Sequence, residues 1–170
     1  YLNWLYLELS MTNEIVLSGL TRDYPEYGYS TQELIDVLGN KLSEKVIKNI
    51  RQLGVENRYF TRPFERYIEN SGKRIKSNDD GEPISDLCAN VAKKCLSNLG
   101  LKLDDVTFLV AAYEDNDFLS PGLASKLVTK IGFSNFMQHY NIQGMACSTL
   151  PKLLELGQNL IHNENDKILF

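Results

Sequence analysis

With 170 residues, 43% of them hydrophobic and 24% charged, the chain can bury a substantial core and is too apolar for a disordered or fibrous protein. Eleven glycines and five prolines are too few for a low-complexity linker, so residues 1–170 read as one globular unit. A net charge of -4 without a long basic stripe sets nucleic acid aside as a partner, and no apolar run approaches the roughly 20 residues that cross a bilayer.

The start, Tyr1 with no methionine and no basic leader, and the end, where Lys167 to Phe170 looks like a strand beginning, together suggest a piece of a longer protein. Ile15 to Leu17, within the strand-like run Glu14 to Leu20, is short, apolar and followed by Gly19, as expected of a buried strand. Ser30 and Glu33 have capping-box spacing ahead of Leu34, Ile35 and Leu38, which predicts a helix ending at Gly39-Asn40. Ser43 caps a second predicted helix, in which Val46, Ile47, Ile50 and Leu53 recur at helical spacing before Gly54. Its other face carries Lys45, Lys48 and Arg51 about a turn apart, a pattern that suits one polyanionic group or an ordinary solvated face.

Ser71 to Pro83 lacks periodicity and predicts an exposed loop. Ser85 to Leu99 predicts a helix stopped by Gly100, with Cys88, Ala92, Cys95 and Leu99 on its apolar face and both thiols read as core. Val106 to Ala112 is continuously apolar, as in a strand covered on both faces. Ser120-Pro-Gly122 opens a helix that runs to Ile131, with proline favoured in its first turn. Tyr140 to Met145 predicts a strand leading to Cys147, and Leu150 to Ile161 a helix behind it. The alternation favours a layered α/β fold with right-handed crossovers.

Three widely spaced cysteines, odd in number, point to free thiols and a cytoplasmic setting. Cys147 falls at a strand-to-helix junction, where helix-start amides favour negative charge on a nucleophile and on the oxyanion of an attacked thioester. Position alone leaves open a buried structural cysteine. No glycine-rich phosphate loop follows any predicted strand, which disfavours a nucleotide-binding domain. His139 and His162 lack a patterned partner and read as packing or solvated residues.

The run Tyr140-Asn-Ile-Gln-Gly-Met-Ala-Cys-Ser148, with Leu153-Leu-Glu-Leu-Gly-Gln-Asn-Leu160 after it, resembles the nucleophile segment of the thiolase-superfamily condensing enzymes. The likeness is to ketoacyl-CoA synthases and type III (chalcone synthase-like) polyketide synthases, with ketoacyl-acyl-carrier-protein synthase III a close cousin. Three further segments resemble the family in the same order: Leu53-Gly-Val-Glu-Asn-Arg-Tyr59, Leu96-Ser-Asn-Leu-Gly-Leu-Lys-Leu-Asp-Asp-Val106 and Leu119-Ser-Pro-Gly122.

The resemblance implies a thiolase-like α/β fold, of which this chain is the N-terminal half of a duplicated layered α-β-α core. It implies that Cys147 accepts an acyl group from acyl-CoA or an acyl-carrier protein, and that a decarboxylating malonyl thioester then attacks it. It further implies no permanently bound cofactor, a homodimeric parent, and coenzyme A phosphates held by Lys45 and Lys48. Gln52 replaces a third family lysine, a departure for which Arg51 compensates only in part. The family's catalytic histidine and asparagine belong to the other half, so the chain by itself is expected to be incomplete. The alternatives are a hydroxymethylglutaryl-CoA synthase-like enzyme and a non-catalytic or split-enzyme partner subunit. Pro151 departs from the small residues usual after the nucleophile.

Overall fold

The computed structural model describes residues 2–9, 15–69, 81–114 and 120–170. In chain order the first elements are β1 (Leu2–Leu9), β2 (Ile15–Asp23), β3 (Tyr27–Ser30), α1 (Thr31–Leu38), α2 (Glu44–Gln52), β4 (Asn57–Phe60) and α3 (Phe64–Glu69). There follow α4 (Ile84–Leu99), β5 (Phe108–Tyr113), α5 (Leu123–Ile131), β6 (Gln138–Gln143), α6 (Thr149–Leu160) and β7 (Lys167–Leu169). They fall into two compact units, Tyr1–Asp23 with Pro83–Phe170, and Tyr24–Glu82.

The first unit is built on a five-stranded sheet in the order β2-β1-β7-β5-β6. β5 runs parallel to β6 and β7, while β1 is antiparallel to β7 and β2. Along β5 the side chains alternate between two cores, as the two-residue period of a strand requires. Leu109 and Ala111 join Cys88, Val91, Ala92 and Cys95 of α4 and Leu127 of α5. Phe108 and Val110 pack instead with Leu153 of α6, Ile161 and Ile168. The sheet therefore carries α4 and α5 on one face and α6 on the other, the layered α/β arrangement expected from the element order. Full burial of an aliphatic side chain stabilises by about 1.5–3 kcal/mol, and Leu109 and Val110 are both completely enclosed.

Two expectations are corrected. β2 is not a buried strand: among the described residues it lies at a sheet edge beside β1, and Leu17 and Leu20 are 51% and 60% exposed. α4 covers one face there, where a Cβ added at Gly19 would come within 2.9 Å of Leu99. Pro121 does not enter the first turn of α5, because Gly122 is the N-cap and the helix begins at Leu123. The Leu123 and Ala124 amides donate instead to the Tyr113 hydroxyl (3.3 Å) and the Asn141 side-chain carbonyl (2.8 Å). Most of the loop expected over Ser71–Pro83 lies outside the described residues. α4 ends as expected at Gly100, whose φ of 66° is the left-handed cap.

The second unit pairs β3 with β4 antiparallel. Tyr29 packs with Phe60 and Phe64 at ring distances of 5.9 and 6.0 Å. The Ser30 capping box is present, with Glu33 N–H donating to Ser30 Oγ (3.1 Å) and Ser30 N–H to Glu33 Oε2 (2.7 Å). Ser43 caps α2, and Gly54 follows with φ 66°. The periodic apolar face of α2 stays unburied, with Val46 41% and Leu53 69% exposed. Ile47 and Ile50 of the same helix are half-buried, and α1 contributes Leu34 and Ile35 as buried side chains.

Candidate active site

β6 stops at Gln143, two residues short of its predicted end, and the chain turns through Gly144 (φ 76°) and Met145 into a 3₁₀ turn, Ala146–Ser148, before α6 begins at Thr149. Ala146 itself has φ 42°, a left-handed conformation that costs a residue with a Cβ about 1–2 kcal/mol. Cys147 is the exposed thiol of the three; Cys88 and Cys95 are buried, and none is in a disulfide. Pro151 is the third residue of α6, in the first turn, where its missing amide breaks no intrahelical bond.

The amides around Cys147 are largely occupied, which differs from the open helix start expected. Ala146 N–H donates to Glu114 Oε1 at 2.5 Å, Ser148 N–H to the Met145 carbonyl at 2.9 Å, and Thr149 N–H to the Ala146 carbonyl. The hydroxyls of Ser148 and Thr149 close the same turn onto the Met145 and Ala146 carbonyls, each at 2.7 Å. These three amides are therefore not open donors beside Cys147.

Glu114 is the residue that sequence reasoning passed over. It follows β5 directly, and the parallel register Tyr113↔Gln143 sets the C-terminal ends of β5 and β6 side by side. The signal available was its place at the carboxyl end of a predicted parallel strand, where α/β folds gather site residues.

Lys45, Lys48 and Arg51 stand on α2, in the second unit. An open groove of about 590 Å³ between α1 and α2 is lined by Lys48 and Arg51 together with Asp36, Glu44, Gln32 and Gln52. Arg51 donates to Gln32 (2.9 Å), which in turn donates to Asp36 (2.7 Å), so one cation of the groove is already engaged. Lys45 is exposed and is not part of this lining. His139 bonds to Ser125 Oγ (3.0 Å) and to the Met137 carbonyl (2.9 Å), and His162 is an exposed residue whose amide donates to Asp166. Among the described residues no helix is long and apolar enough to cross a membrane, and no acid, cysteine or histidine cluster could hold a metal.

No protein-family model matches the chain. It is 26% identical over 151 residues to a 3,5-dihydroxyphenylacetyl-CoA synthase of Amycolatopsis orientalis, an alignment covering 83% of this chain and 40% of that protein. A synthase of the same name from Streptomyces toyocaensis is 25% identical over 126 residues, covering 71% and 31%. Among solved structures, cerulenin-bound OleA of Xanthomonas campestris superposes with a TM-score of 0.62 at 16% identity, over 92% of this chain and 39% of that one. A 3-oxoacyl-(acyl-carrier protein) synthase of Burkholderia xenovorans gives 0.61 at 19% identity, over 84% and 35%.

The fold is that of the thiolase-superfamily condensing enzymes. The chain spans about two-fifths of the length of the curated relatives it matches. Within this thiolase-like fold the segments that carry the family resemblance are the connections. Leu53–Tyr59 leads from α2 into β4, Leu96–Val106 from α4 towards β5, Ser120–Gly122 into α5, and Tyr140–Ser148 from β6 through the 3₁₀ turn.

Proposed function

We propose that the chain is the nucleophile-bearing N-terminal half of an acyl-thioester condensing enzyme, with Cys147 as the acyl acceptor. The observation that carries this is an exposed thiol, set in a strained turn at the carboxyl end of a parallel strand, in a fold shared with condensing enzymes. The Cys147 sulfur, as thiolate, attacks the thioester carbonyl; the tetrahedral intermediate collapses with loss of the coenzyme A or carrier thiolate, leaving the acyl group on sulfur. A malonyl thioester then loses carbon dioxide, its carbanion attacks the bound acyl carbonyl, and the Cys147 thiolate leaves as the β-ketoacyl thioester forms. In this reading, stabilising that carbanion falls to groups in the rest of the parent, as the resemblance implies.

The name of the curated relatives, a CoA-thioester synthase, supports coenzyme A as the carrier. Lys48 and Arg51, sharing one groove, are the better candidates for its phosphates, with Asp36 and Glu44 lowering the positive potential there. Lys45 remains a peripheral contact in this reading. Leu150 and Leu154, 51% and 39% exposed on α6, and Leu20 on β2 fit a fold whose remaining layers belong to the rest of the parent. A homodimeric, cytoplasmic parent follows from the same reading, and the free thiols suit a reducing compartment.

The test is intact-mass spectrometry after incubation with acetyl-CoA and longer acyl-CoAs. One acyl adduct is expected on the chain and none on Cys147→Ala. Absence of an adduct from the folded full-length parent would remove Cys147 as the nucleophile.

A further inference from the structure

Among the described residues, Glu114 ties the turn that presents Cys147, and the end of β6 before it, to the end of β5. Glu114 accepts the Ala146 amide on its carboxylate at 2.5 Å, and its backbone carbonyl accepts the Gln143 side-chain amide at 3.5 Å. The other bonds of the turn, from the Ser148 and Thr149 hydroxyls and the Ser148 amide, are internal to residues 145–149. They shape the turn without fixing it to the sheet. The strained residue, Ala146 at φ 42°, is the one whose amide Glu114 takes, and it immediately precedes the thiol. A left-handed alanine persists where its surroundings over-determine it, and the Glu114 side chain supplies an acceptor for its amide.

We propose that Glu114 is the positioning residue for Cys147, its carboxylate holding the Ala146 amide so that the turn stays left-handed and the thiol keeps one orientation over the ends of β5 and β6. Glu114 acts on Cys147 through the backbone. Its effect on acyl transfer rests on the reading of Cys147 as nucleophile; its hold on the turn does not.

Two readouts on the full chain separate these claims. Amide hydrogen exchange at Ala146 reports the anchor, and the rate of Cys147 acylation at varied acyl-CoA reports its consequence. Glu114→Ala is expected to speed exchange at Ala146 and slow acylation by about tenfold, less than the roughly hundredfold that a misplacement of about 1 Å can cost, with the half-saturating acyl-CoA concentration unchanged. Glu114→Gln keeps an acceptor oxygen and should stay near wild type. Adding Ala146→Gly to Glu114→Ala should restore acylation, because glycine adopts the left-handed conformation without an anchor. Continued protection of Cys88 and Cys95 from alkylation shows that each variant is folded. Unchanged exchange in Glu114→Ala overturns the anchor, as does a Glu114→Gln variant as impaired as Glu114→Ala, which would assign the effect to charge. If neither the wild-type chain nor the folded full-length parent forms an acyl adduct, the nucleophile reading fails, and the exchange experiment alone still decides whether Glu114 holds the turn.

Discussion

Cys95 lies on α4 with no solvent exposure, and burial pushes its thiol above the ordinary value of 9.0 in spite of a side-chain hydrogen bond with Thr21. A raised value in the folded state contributes stability that is complete below the unfolded value and is lost as pH rises towards the folded one. The urea midpoint should therefore fall from about pH 9 upward, and the fall should be shallower in Cys95→Ala, measured on the variant's own baseline. Cys147 is exposed. A thiol reagent applied to the folded chain at neutral pH should accordingly label Cys147 alone, with Cys88 and Cys95 reacting only after denaturation. Early labelling of Cys95 would mean that α4 opens far more readily than its packing indicates.

Ser30 shows how much an element can owe to one side chain. Its hydroxyl accepts the Glu33 amide while its own amide donates to the Glu33 carboxylate, and that backbone bond, with the Ser30 hydroxyl second, holds the Glu33 carboxyl below its ordinary 4.5. A lowered value contributes stability above about pH 4.5 that disappears as pH falls through the folded value. Ser30→Ala should cost about 1 kcal/mol of stability at neutral pH. It keeps the backbone donor, so it should make the acid limb of a pH–stability curve only partly shallower, whereas Glu33→Gln, which removes the titrating group, should flatten it. An unchanged acid limb would place the linkage elsewhere. Signals of this kind are local, which is why α1, α2, α4 and α5 were legible: Ser30, Ser43, Gly100 and Gly132 mark their ends in the sequence as in the structure. The turn at Cys147 was not legible to the same depth. The family likeness singled out the cysteine, but the left-handed Ala146 depends on a carboxylate 32 residues upstream, a contact no local pattern encodes.

Across the whole molecule the sheet order is the least local feature and the hardest to read. Val106–Ala112 announced a strand by composition, whereas β1 takes its place from pairing with β2 on one side and β7 on the other. β7, three residues near the end of the sequence, stands in the centre of the sheet, joining β1 to β5. Ile168 and Leu169 have no exposure and Phe170 only 5%, with Ile168 and Phe170 in the core beneath α6 and Leu169 in the core beneath α4 and α5. Removing 167–170 would thus take side chains from both cores and divide the sheet between its antiparallel and parallel strands. At about 1.5–3 kcal/mol for each of these side chains, the loss matches the whole stability of a typical domain, about 5–15 kcal/mol. Asp166 prepares the entry to this strand: burial opposes its ionisation, but amide bonds from His162 and Asn163 prevail and hold its carboxyl below the ordinary 3.8. A chain ending at Asp166 should expose Cys88 and Cys95 to alkylation without denaturant, because the core that shields them loses its central strand. Full protection of both thiols in that truncated chain, with an unchanged urea midpoint, would show that β1 and β5 hold together without β7.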